Sequence, residues 1–314
     1  MRILVSGGLG YIGSHTVVAL VQTGHEVVII DNLANSELSV LRRLDGLCGR
    51  EPMFHLGDVR DIGFLRRVLA RHRFDCAVHF AGLKAVADSV CVPLDYYDVN
   101  VTGSLCLLRS LNEACVRRIV FSSSATVYGD PATVPITESH PVMPVNPYGR
   151  SKAMVEQMLD DLCHAEPDWS AISLRYFNPA GAHPTGSIGE QPNGVPNNLM
   201  PYLSQVGSGN RERLRVFGDN YPTRDGTGER DYVHVMDLAD AHVRAVELTG
   251  TSAGHDVINI GTGRGHTVLE VVRVVGVVPR QLARLADRDE PDTEGQGDGR
   301  RQDEPACLDP GDDV

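Results

Sequence analysis

The feature that most constrains this chain is a glycine-rich turn between two short apolar runs at its N-terminus. Arg2–Ser6 is apolar and leads into Gly7-Gly8-Leu9-Gly10-Tyr11-Ile12-Gly13. An amphipathic segment follows from about Ile12 to Gln22, and a second apolar run, Glu26–Ile30, ends at Asp31. The hydrophobic spacing predicts strand, helix and strand in that order. Two strands joined through a helix lie parallel, so this unit favours a parallel α/β fold.

The glycines of the turn have the spacing of a dinucleotide-binding fingerprint. Gly8, Gly10 and Gly13 match G-x-G-x-x-G, and Gly7 adds a further glycine one residue earlier. Such glycines allow a tight turn and a close backbone approach to a pyrophosphate, which the helix N-terminus then holds with its amides. Asp31 ends the second strand, where a carboxylate can accept from ribose hydroxyls and would repel a 2′-phosphate. The unit therefore predicts dinucleotide binding, with NAD favoured over NADP.

The alternation of strands and helices continues along the chain. Apolar runs predict further strands at 53–56, 76–80, 118–121, 171–174, 214–217 and 257–260. Helical spacing predicts helices near 36–47, 61–71, 93–115, 147–162, 199–206, 235–248 and 268–275. Buried strands in this alternation indicate a Rossmann-type, doubly wound parallel sheet with a smaller C-terminal substrate lobe. Ligands of such sheets bind at the carboxyl ends of the strands.

A change in amino-acid composition marks the expected domain boundary. Residues 1–177 are predicted to form the NAD-binding domain, and Gly, Pro and Asn crowd the stretch from Pro179 to Pro201. Residues 178–278 are predicted to form the smaller lobe, with one strand and one helix returning to the first domain. Eleven acidic residues and five arginines follow Pro279, without an aromatic residue. We expect 279–314 to be a disordered tail, cut first by proteases near Arg280–Arg288.

Composition excludes several classes of function. The net charge of −12 argues against nucleic-acid and anionic-membrane partners. No apolar run is long enough to span a bilayer. The seven cysteines are scattered without a C-x-x-C pair, which favours a reduced cytoplasmic protein with buried thiols. The histidines are dispersed, and no metal site is expected.

A tyrosine and a lysine begin the helix predicted after residue 146. Asn146 can cap this helix, and Pro147 suits its first position. Tyr148 and Lys152 are four residues apart and therefore share one face. A free tyrosine has a pKa of about 10, and a neighbouring cation lowers that pKa. The pair is a candidate for proton transfer.

Several residues at predicted strand ends have two interpretations. Asp58 can bond an adenine or cap the following helix. Lys84, after the small residues Ala81 and Gly82, can reach a diphosphate or a ribose, or remain solvated. A serine run from Ser122 ends the next strand.

Taken together, these motifs resemble the extended short-chain dehydrogenase/reductases. Within that family the chain is similar to the UDP-glucose 4-epimerase subgroup, from Met1 to about Val275. The segments that carry the resemblance are the glycine turn, Asp31-Asn32-Leu33, Phe80-Ala81-Gly82-Leu83-Lys84, 122–129, Tyr148-Gly149-Arg150-Ser151-Lys152, Arg175-Tyr176-Phe177-Asn178, 197–201 and 230–235.

The resemblance implies two sets of binding residues in this chain. For NAD they are Gly7, Gly10, Tyr11, Ile12, Gly13, Asp31, Asn32, Leu33, Ala34, Asn35, Ser36, Asp58, Val59, Phe80, Ala81, Gly82, Leu83, Lys84, Asn100, Ser122, Tyr148, Lys152, Tyr176 and Phe177. For a UDP-sugar they are Lys84, Ser124, Tyr148, Asn178, Asn198, Leu199, Val216, Phe217 and Arg230. Arg230 would clamp a phosphate or instead form a surface ion pair, and Phe217 and Tyr176 would stack on ligands or instead fill the core.

The implied reaction interconverts UDP-glucose and UDP-galactose. Tyr148 would take the proton of the sugar 4-hydroxyl, Lys152 would hold the tyrosine pKa down, and Ser124 would orient the proton. A dehydratase of the same family needs an acid pair where this chain has Ala125-Thr126. A decarboxylase and a catalytically impaired NAD-binding homologue stay open as alternatives.

The resemblance also implies a homodimer and a substrate-binding C-terminal end. The helices near 93–115 and 147–162 have apolar residues on more than one face, which favours pairing with a second copy over burial against the sheet. The family's usual Arg and Gly-Asp positions after 275 have no clear counterpart in the acidic tail. We therefore expect UDP-sugar affinity and turnover to be weakened or absent, and NAD binding to be retained.

Overall fold

The structure, a computed structural model, describes residues 1–192, 196, 198–276 and 282–284. Its strands are β1 Arg2–Ser6, β2 Glu26–Asp31, β3 Met53–Leu56, β4 Cys76–His79, β5 Arg118–Ser124, β6 Ser170–Tyr176, β7 Asn178–Ala180, β8 Leu214–Val216, β9 Glu229–His234, β10 Gly254–Ile260, β11 Gly265–Thr267 and β12 Leu282–Arg284. Its helices are α1 Tyr11–Gln22, α2 Ser39–Cys48, α3 Ile62–Arg71, α4 Val86–Cys91, α5 Pro93–Tyr96, α6 Gly103–Glu113, α7 Pro147–Ala165, α8 Leu199–Gly207, α9 Val235–Leu248 and α10 Val268–Val275.

Seven parallel strands form the central sheet, in the order β10-β6-β5-β4-β1-β2-β3. One apolar cluster joins this sheet to α1, α2 and α9, and a second joins it to α3, α6 and α7. Helices on both faces of a parallel sheet confirm the predicted doubly wound Rossmann-type fold.

The described residues divide into two compact units. The first comprises Met1–Pro201 and Arg230–Gly265, so α9 and β10 belong with the central sheet. The second comprises Tyr202–Glu229 and the described residues from His266 onward. Within the second unit β8 pairs in parallel with β12. Of the predicted tail, 279–314, only the strand at 282–284 belongs to the described residues, and the predicted cleavage near 280–288 stays a prediction.

The helix predicted over 93–115 is not continuous, and this prediction was wrong. A π-helical turn, Tyr97–Thr102, separates α5 from α6, and α6 ends at Glu113. A π turn inserts one extra residue into the helical path, which changes the direction of the side chains within it. The turn carries Asn100, which is 3% exposed.

Two helix starts also differ from the prediction. α2 begins at Ser39 rather than Ser36, because the Ser36 hydroxyl donates to Asp31 Oδ1 at 2.8 Å in the preceding turn. α3 is capped by Asp61, whose side chain accepts from the Phe64 amide, so the alternative role of Asp58 as its cap is wrong.

Among the helices that the structure describes, none combines the length and the apolar character that crossing a membrane would require. The free thiols include buried Cys76 and Cys163, partly buried Cys48 and Cys106, and exposed Cys115. The cytoplasmic location stays a prediction.

Candidate active site

The glycine turn forms a backbone cradle that side chains would fill. A Cβ on Gly13 would lie 2.2 Å from the Gly7 carbonyl oxygen, and a Cβ on Gly7 would lie 2.7 Å from the Ala81 nitrogen. Gly7 also has φ of +71°. α1 begins after Gly10, and no described side chain caps it. Its first amides are therefore available to an anion, which is the arrangement that a dinucleotide pyrophosphate fits.

Asp31 holds the loop that follows β2. Its Oδ1 accepts from the Leu33 amide at 2.9 Å, and its Oδ2 accepts from the Leu9 amide at 3.1 Å. Leu33 has φ of +61°, a backbone conformation that costs free energy for a leucine. The carboxylate thus joins the glycine turn to the loop predicted to bind the adenosine ribose.

Asn32 and Asp58 meet beside this loop. Asn32 Nδ2 donates to Asp58 Oδ2 at 2.9 Å. Hydrogen bonds from the Arg60 guanidinium hold the pKa of Asp58 well below its usual range. Val59 is buried, whereas Ala34 and Asn35 are exposed. The structure places these predicted NAD residues at the ends of β2 and β3.

The segment after β4 meets the π turn through Asn100. Asn100 Oδ1 accepts from the Leu83 amide at 2.7 Å, and its Nδ2 donates to the Ser151 hydroxyl at 2.9 Å. A Cβ on Gly82 would lie 2.9 Å from Asn100 Oδ1 and 3.8 Å from Lys152 Nζ. Gly82, Asn100 and Lys152 are therefore close together.

Lys84 is paired rather than simply solvated. Its Nζ donates to Glu190 Oε1 at 2.9 Å, and Asn198 Nδ2 donates to the same oxygen at 3.4 Å. Lys84 and Asn198, two predicted substrate contacts, thus share the Glu190 carboxylate. No motif in the sequence marks Glu190.

The three predicted catalytic residues lie together at the end of β5 and the start of α7. Asn146 caps α7 by accepting from the Gly149 amide at 2.8 Å, as its sequence predicts. The Ser124 side chain acts on the pKa of Tyr148, and its hydroxyl oxygen accepts from the Thr126 hydroxyl at 2.9 Å. Lys152 Nζ donates to the Ser122 carbonyl oxygen at 2.8 Å and lies 5.7 Å from the centroid of the Tyr148 ring.

Burial dominates the electrostatics of this group. It raises the pKa of Tyr148 to about 12, and the hydrogen bond with Ser124 acts in the opposite direction. It lowers the pKa of Lys152 to about 8, and the charge of Glu156 acts in the opposite direction. Burial thus moves the pKa of Tyr148 in the direction opposite to the one expected of Lys152.

The remaining aromatic residues of the site border these groups. The Tyr176 hydroxyl bonds to the Ser122 hydroxyl. Tyr176 also belongs to the core, as the alternative interpretation predicts, and its contact with a ligand stays a prediction. Phe80 packs against His242 with ring centroids 4.7 Å apart. Phe177 is half-buried after β6. The Tyr11 hydroxyl donates to the Gly181 carbonyl oxygen at 2.7 Å, and Ile12 packs against the core.

The predicted substrate residues are spread over both units. In the first unit Asn178 Nδ2 donates to the Asp231 carbonyl oxygen at 3.3 Å, Leu199 begins α8, and Arg230 is exposed. In the second unit Val216 is buried in β8, whereas Phe217 is 69% exposed. The alternative of Phe217 as a core aromatic is therefore wrong.

Sequence reasoning missed several buried residues around the catalytic group. Tyr96 packs against Tyr148, and Glu156 forms an ion pair with Arg175. Glu156 follows Lys152 by four residues, so helical spacing could have placed it on the same face. No local signal marks Arg175 as its partner.

Comparisons with known proteins agree with this site. The NAD dependent epimerase/dehydratase family model matches residues 3–261. The chain is 57% identical over 273 residues to a UDP-glucose 4-epimerase of Neisseria meningitidis serogroup B, covering 87% of this chain and 80% of that one. It is 52% identical over 290 residues to the Bacillus subtilis UDP-glucose 4-epimerase, covering 92% and 86%.

Solved structures give the same result. The UDP-glucose 4-epimerase of Bifidobacterium longum, in complex with NAD+ and UDP, has a TM-score of 0.87 and 45% identity, covering 90% of this chain and 86% of that chain. That of Stenotrophomonas maltophila, with bound NAD and formylated UDP-arabinopyranose, has a TM-score of 0.88 and 46% identity, covering 92% and 87%. The chain belongs to the NAD dependent epimerase/dehydratase family.

Proposed function

We propose that this chain is an NAD-dependent UDP-glucose 4-epimerase, which interconverts UDP-glucose and UDP-galactose by transient oxidation at C4 of the sugar. The observation that carries the proposal is the buried group of Tyr148, Lys152 and Ser124, in which Lys152 Nζ lies 5.7 Å from the centroid of the Tyr148 ring and Ser124 acts on the pKa of Tyr148. This group lies at the strand ends of a sheet whose first turn is a cradle for a dinucleotide. The epimerases of Neisseria meningitidis and Bacillus subtilis, which this chain resembles, support the same activity.

Tyr148 is the proposed proton acceptor for the 4-hydroxyl. Ser124 stabilises the phenolate form of Tyr148 through its hydroxyl, because a hydrogen bond to a charged form favours that form. Lys152, fixed on the Ser122 carbonyl oxygen, supplies a cation next to the ring. When bound, NAD supplies the hydride acceptor and later the hydride donor. Hydride would then return to C4 on the opposite face of the 4-ketose, and Tyr148 would return the proton to the C4 oxygen.

In this mechanism the protein binds the substrate through its uridine diphosphate, and the sugar stays free to rotate within the site. We assign the uridine diphosphate to Asn178, Asn198, Leu199 and Arg230 of the first unit, and the contacts predicted for Val216 and Phe217 stay predictions. Arg230 is exposed and offers a guanidinium fork for a phosphate.

One assay separates this function from its rivals. The purified full chain is incubated with UDP-galactose without added NAD, and the products are identified by chromatography. UDP-glucose as the product supports the proposal. A dehydrated or decarboxylated sugar nucleotide would assign the chain to another branch of the family. Bound NAD without any conversion would indicate an impaired homologue, as the acidic tail led us to expect.

We also propose that the protein is a homodimer through α5, the π turn, α6 and α7. Leu94 is 78% exposed and Met154 is 46% exposed, although both lie on helices next to the core. Apolar side chains in such positions are typical of a protein interface. Sedimentation at micromolar concentration should show a dimer, and Leu94→Glu should shift it to monomer. A wild-type monomer at that concentration contradicts the proposal.

A further inference from the structure

A third buried side chain continues the catalytic face of α7. Tyr148, Lys152 and Glu156 follow one another at intervals of four residues and are 7%, 5% and 6% exposed. Residues at this spacing lie on one face of a helix. A buried carboxylate is costly unless it is paired, so its place one turn beyond Lys152 calls for an explanation.

Glu156 fastens α7 to two neighbouring strands. Its Oε1 accepts from the Ser123 hydroxyl of β5 at 2.5 Å and from Arg175 Nε of β6 at 2.9 Å. Its Oε2 accepts from Arg175 Nη2 at 2.5 Å. Ser123 and Arg175 are register partners in the sheet. The carboxylate therefore joins the helix to both strand ends through a bidentate ion pair.

The strand residues next to this ion pair are those of the site. Ser123 lies between Ser122, whose carbonyl oxygen accepts from Lys152, and Ser124, which acts on the pKa of Tyr148. Arg175 precedes Tyr176, whose hydroxyl bonds to Ser122. The ion pair thus holds the backbone from which the catalytic groups project.

The titratable, aromatic and polar groups around Lys152 come from three elements. Tyr148 and Glu156 face it from α7, His79 from β4, and the Phe121 ring with the Ser122 carbonyl from β5. Burial keeps Tyr148 and His79 neutral near pH 7, with pKa values of about 12 and about 3. Among these groups Glu156 is the anion, and its carboxylate is paired with the Arg175 guanidinium.

We infer that Glu156, held in place by Arg175, is a positioning residue that keeps Lys152 protonated beside Tyr148. The inference rests on the proposed function for its catalytic meaning, but the charge of Lys152 can be measured without turnover. An ammonium in a buried site loses its proton more easily when the nearest anion is removed. Lys152 would then no longer act as the cation of the proton-transfer pair.

The chain has only two lysines, Lys84 and Lys152, which makes a direct titration practical. NAD-loaded protein is labelled with lysine enriched in ¹³C at Cε, and its two signals are followed by NMR from pH 6 to 11. Lys84→Arg assigns the Lys152 signal. We expect Glu156→Gln to lower the pKa of Lys152 by about one unit. The alkaline limb of the kcat profile should move to lower pH in the same variant.

Two further variants complete the test. Asp161→Asn removes an exposed carboxylate from the same helix and should leave the Lys152 pKa unchanged. Glu156→Gln/Arg175→Gln removes both buried charges, and it decides the question alone if the single variant does not fold. In it the Lys152 pKa should still be below that of the wild type.

An unchanged Lys152 pKa in Glu156→Gln overturns the inference. So does a double variant with the wild-type pKa, because Glu156 would then only neutralise Arg175. A wild-type protein without epimerase activity would overturn the proposed function, whereas the NMR titration would still decide the role of Glu156.

Discussion

The ring of Tyr96 stands edge-on to the ring of Tyr148, with centroids 6.4 Å apart and planes at 83°. Tyr96 is 2% exposed, and its hydroxyl donates to the Ala85 carbonyl oxygen at 2.5 Å. The edge-on geometry is the one that aromatic quadrupoles favour. Tyr96 therefore fixes the orientation of the ring that carries the proposed proton acceptor.

Replacing Tyr96 should affect stability and turnover to different extents. Tyr96→Phe keeps the ring and loses one hydrogen bond, so we expect unfolding to be easier by about 1 kcal/mol and kcat to change little. Tyr96→Ala should cost about 3–5 kcal/mol and lower kcat, because Tyr148 loses its support. Urea unfolding and kcat at saturating UDP-galactose test both variants. Equal kcat in the two variants would contradict the positioning role of the ring.

Removing the Tyr148 hydroxyl tests the proton acceptor. Tyr148→Phe should retain the fold and bound NAD but lose kcat by about 10²-fold or more, since no group remains to take the proton. Tyr221→Phe, at a tyrosine that is 41% exposed in the second unit, is the control and should turn over normally. Near-normal kcat in Tyr148→Phe would remove Tyr148 from the mechanism.

One added methyl group should have opposite effects in the glycine cradle and in helix α2. Gly13→Ala would place a Cβ 2.2 Å from the Gly7 carbonyl oxygen, so the turn must shift. We expect loss of bound NAD and a destabilisation of about 1–3 kcal/mol. Gly46→Ala meets no heavy atom within 4 Å inside α2 and should stabilise by about 0.5–1 kcal/mol. NAD absorbance after gel filtration and urea unfolding measure the two effects.

The burial of His242 should lower the free energy of unfolding in acid. Burial lowers its pKa from 6.5 to about 4, and its Nε2 has no hydrogen-bond partner among the described residues. Between these two values the unfolded chain binds the proton more readily than the folded one. The contribution of His242 is therefore present above pH 6.5 and is lost at about 1.4 kcal/mol per pH unit as the pH falls towards 4.

The matched variants are His242→Met and His164→Met. His242→Met should unfold with a free energy near that of the wild type at pH 7 and a higher one at pH 5, because the neutral side chain cannot take up a proton. His164 is exposed on α7, and its replacement should leave the pH dependence unchanged. A wild-type slope between pH 7 and 5 in His242→Met contradicts this account.

Most of the fold could be predicted because its signals are local. β1, β3, α9 and α10 have the predicted bounds, since strand alternation and helical spacing are set by neighbours within a few residues. Asn146 and Pro147 begin α7 for the same reason. The short strands β7, β9 and β11 were missed, because three to six residues carry too little periodic pattern.

The sequence by itself determined the parallel sheet, the glycine cradle and the placement of Tyr148 and Lys152 on one helical face. Only the tertiary structure decided that Ser124 comes to act on Tyr148 and that Glu156 pairs with Arg175. It also decided the directions of the pKa shifts of Tyr148 and Lys152. Helical spacing fixes which side chains are neighbours along a helix. Burial and partners from other strands arise only when the layers pack, and burial then raises the pKa of Tyr148 and lowers that of Lys152.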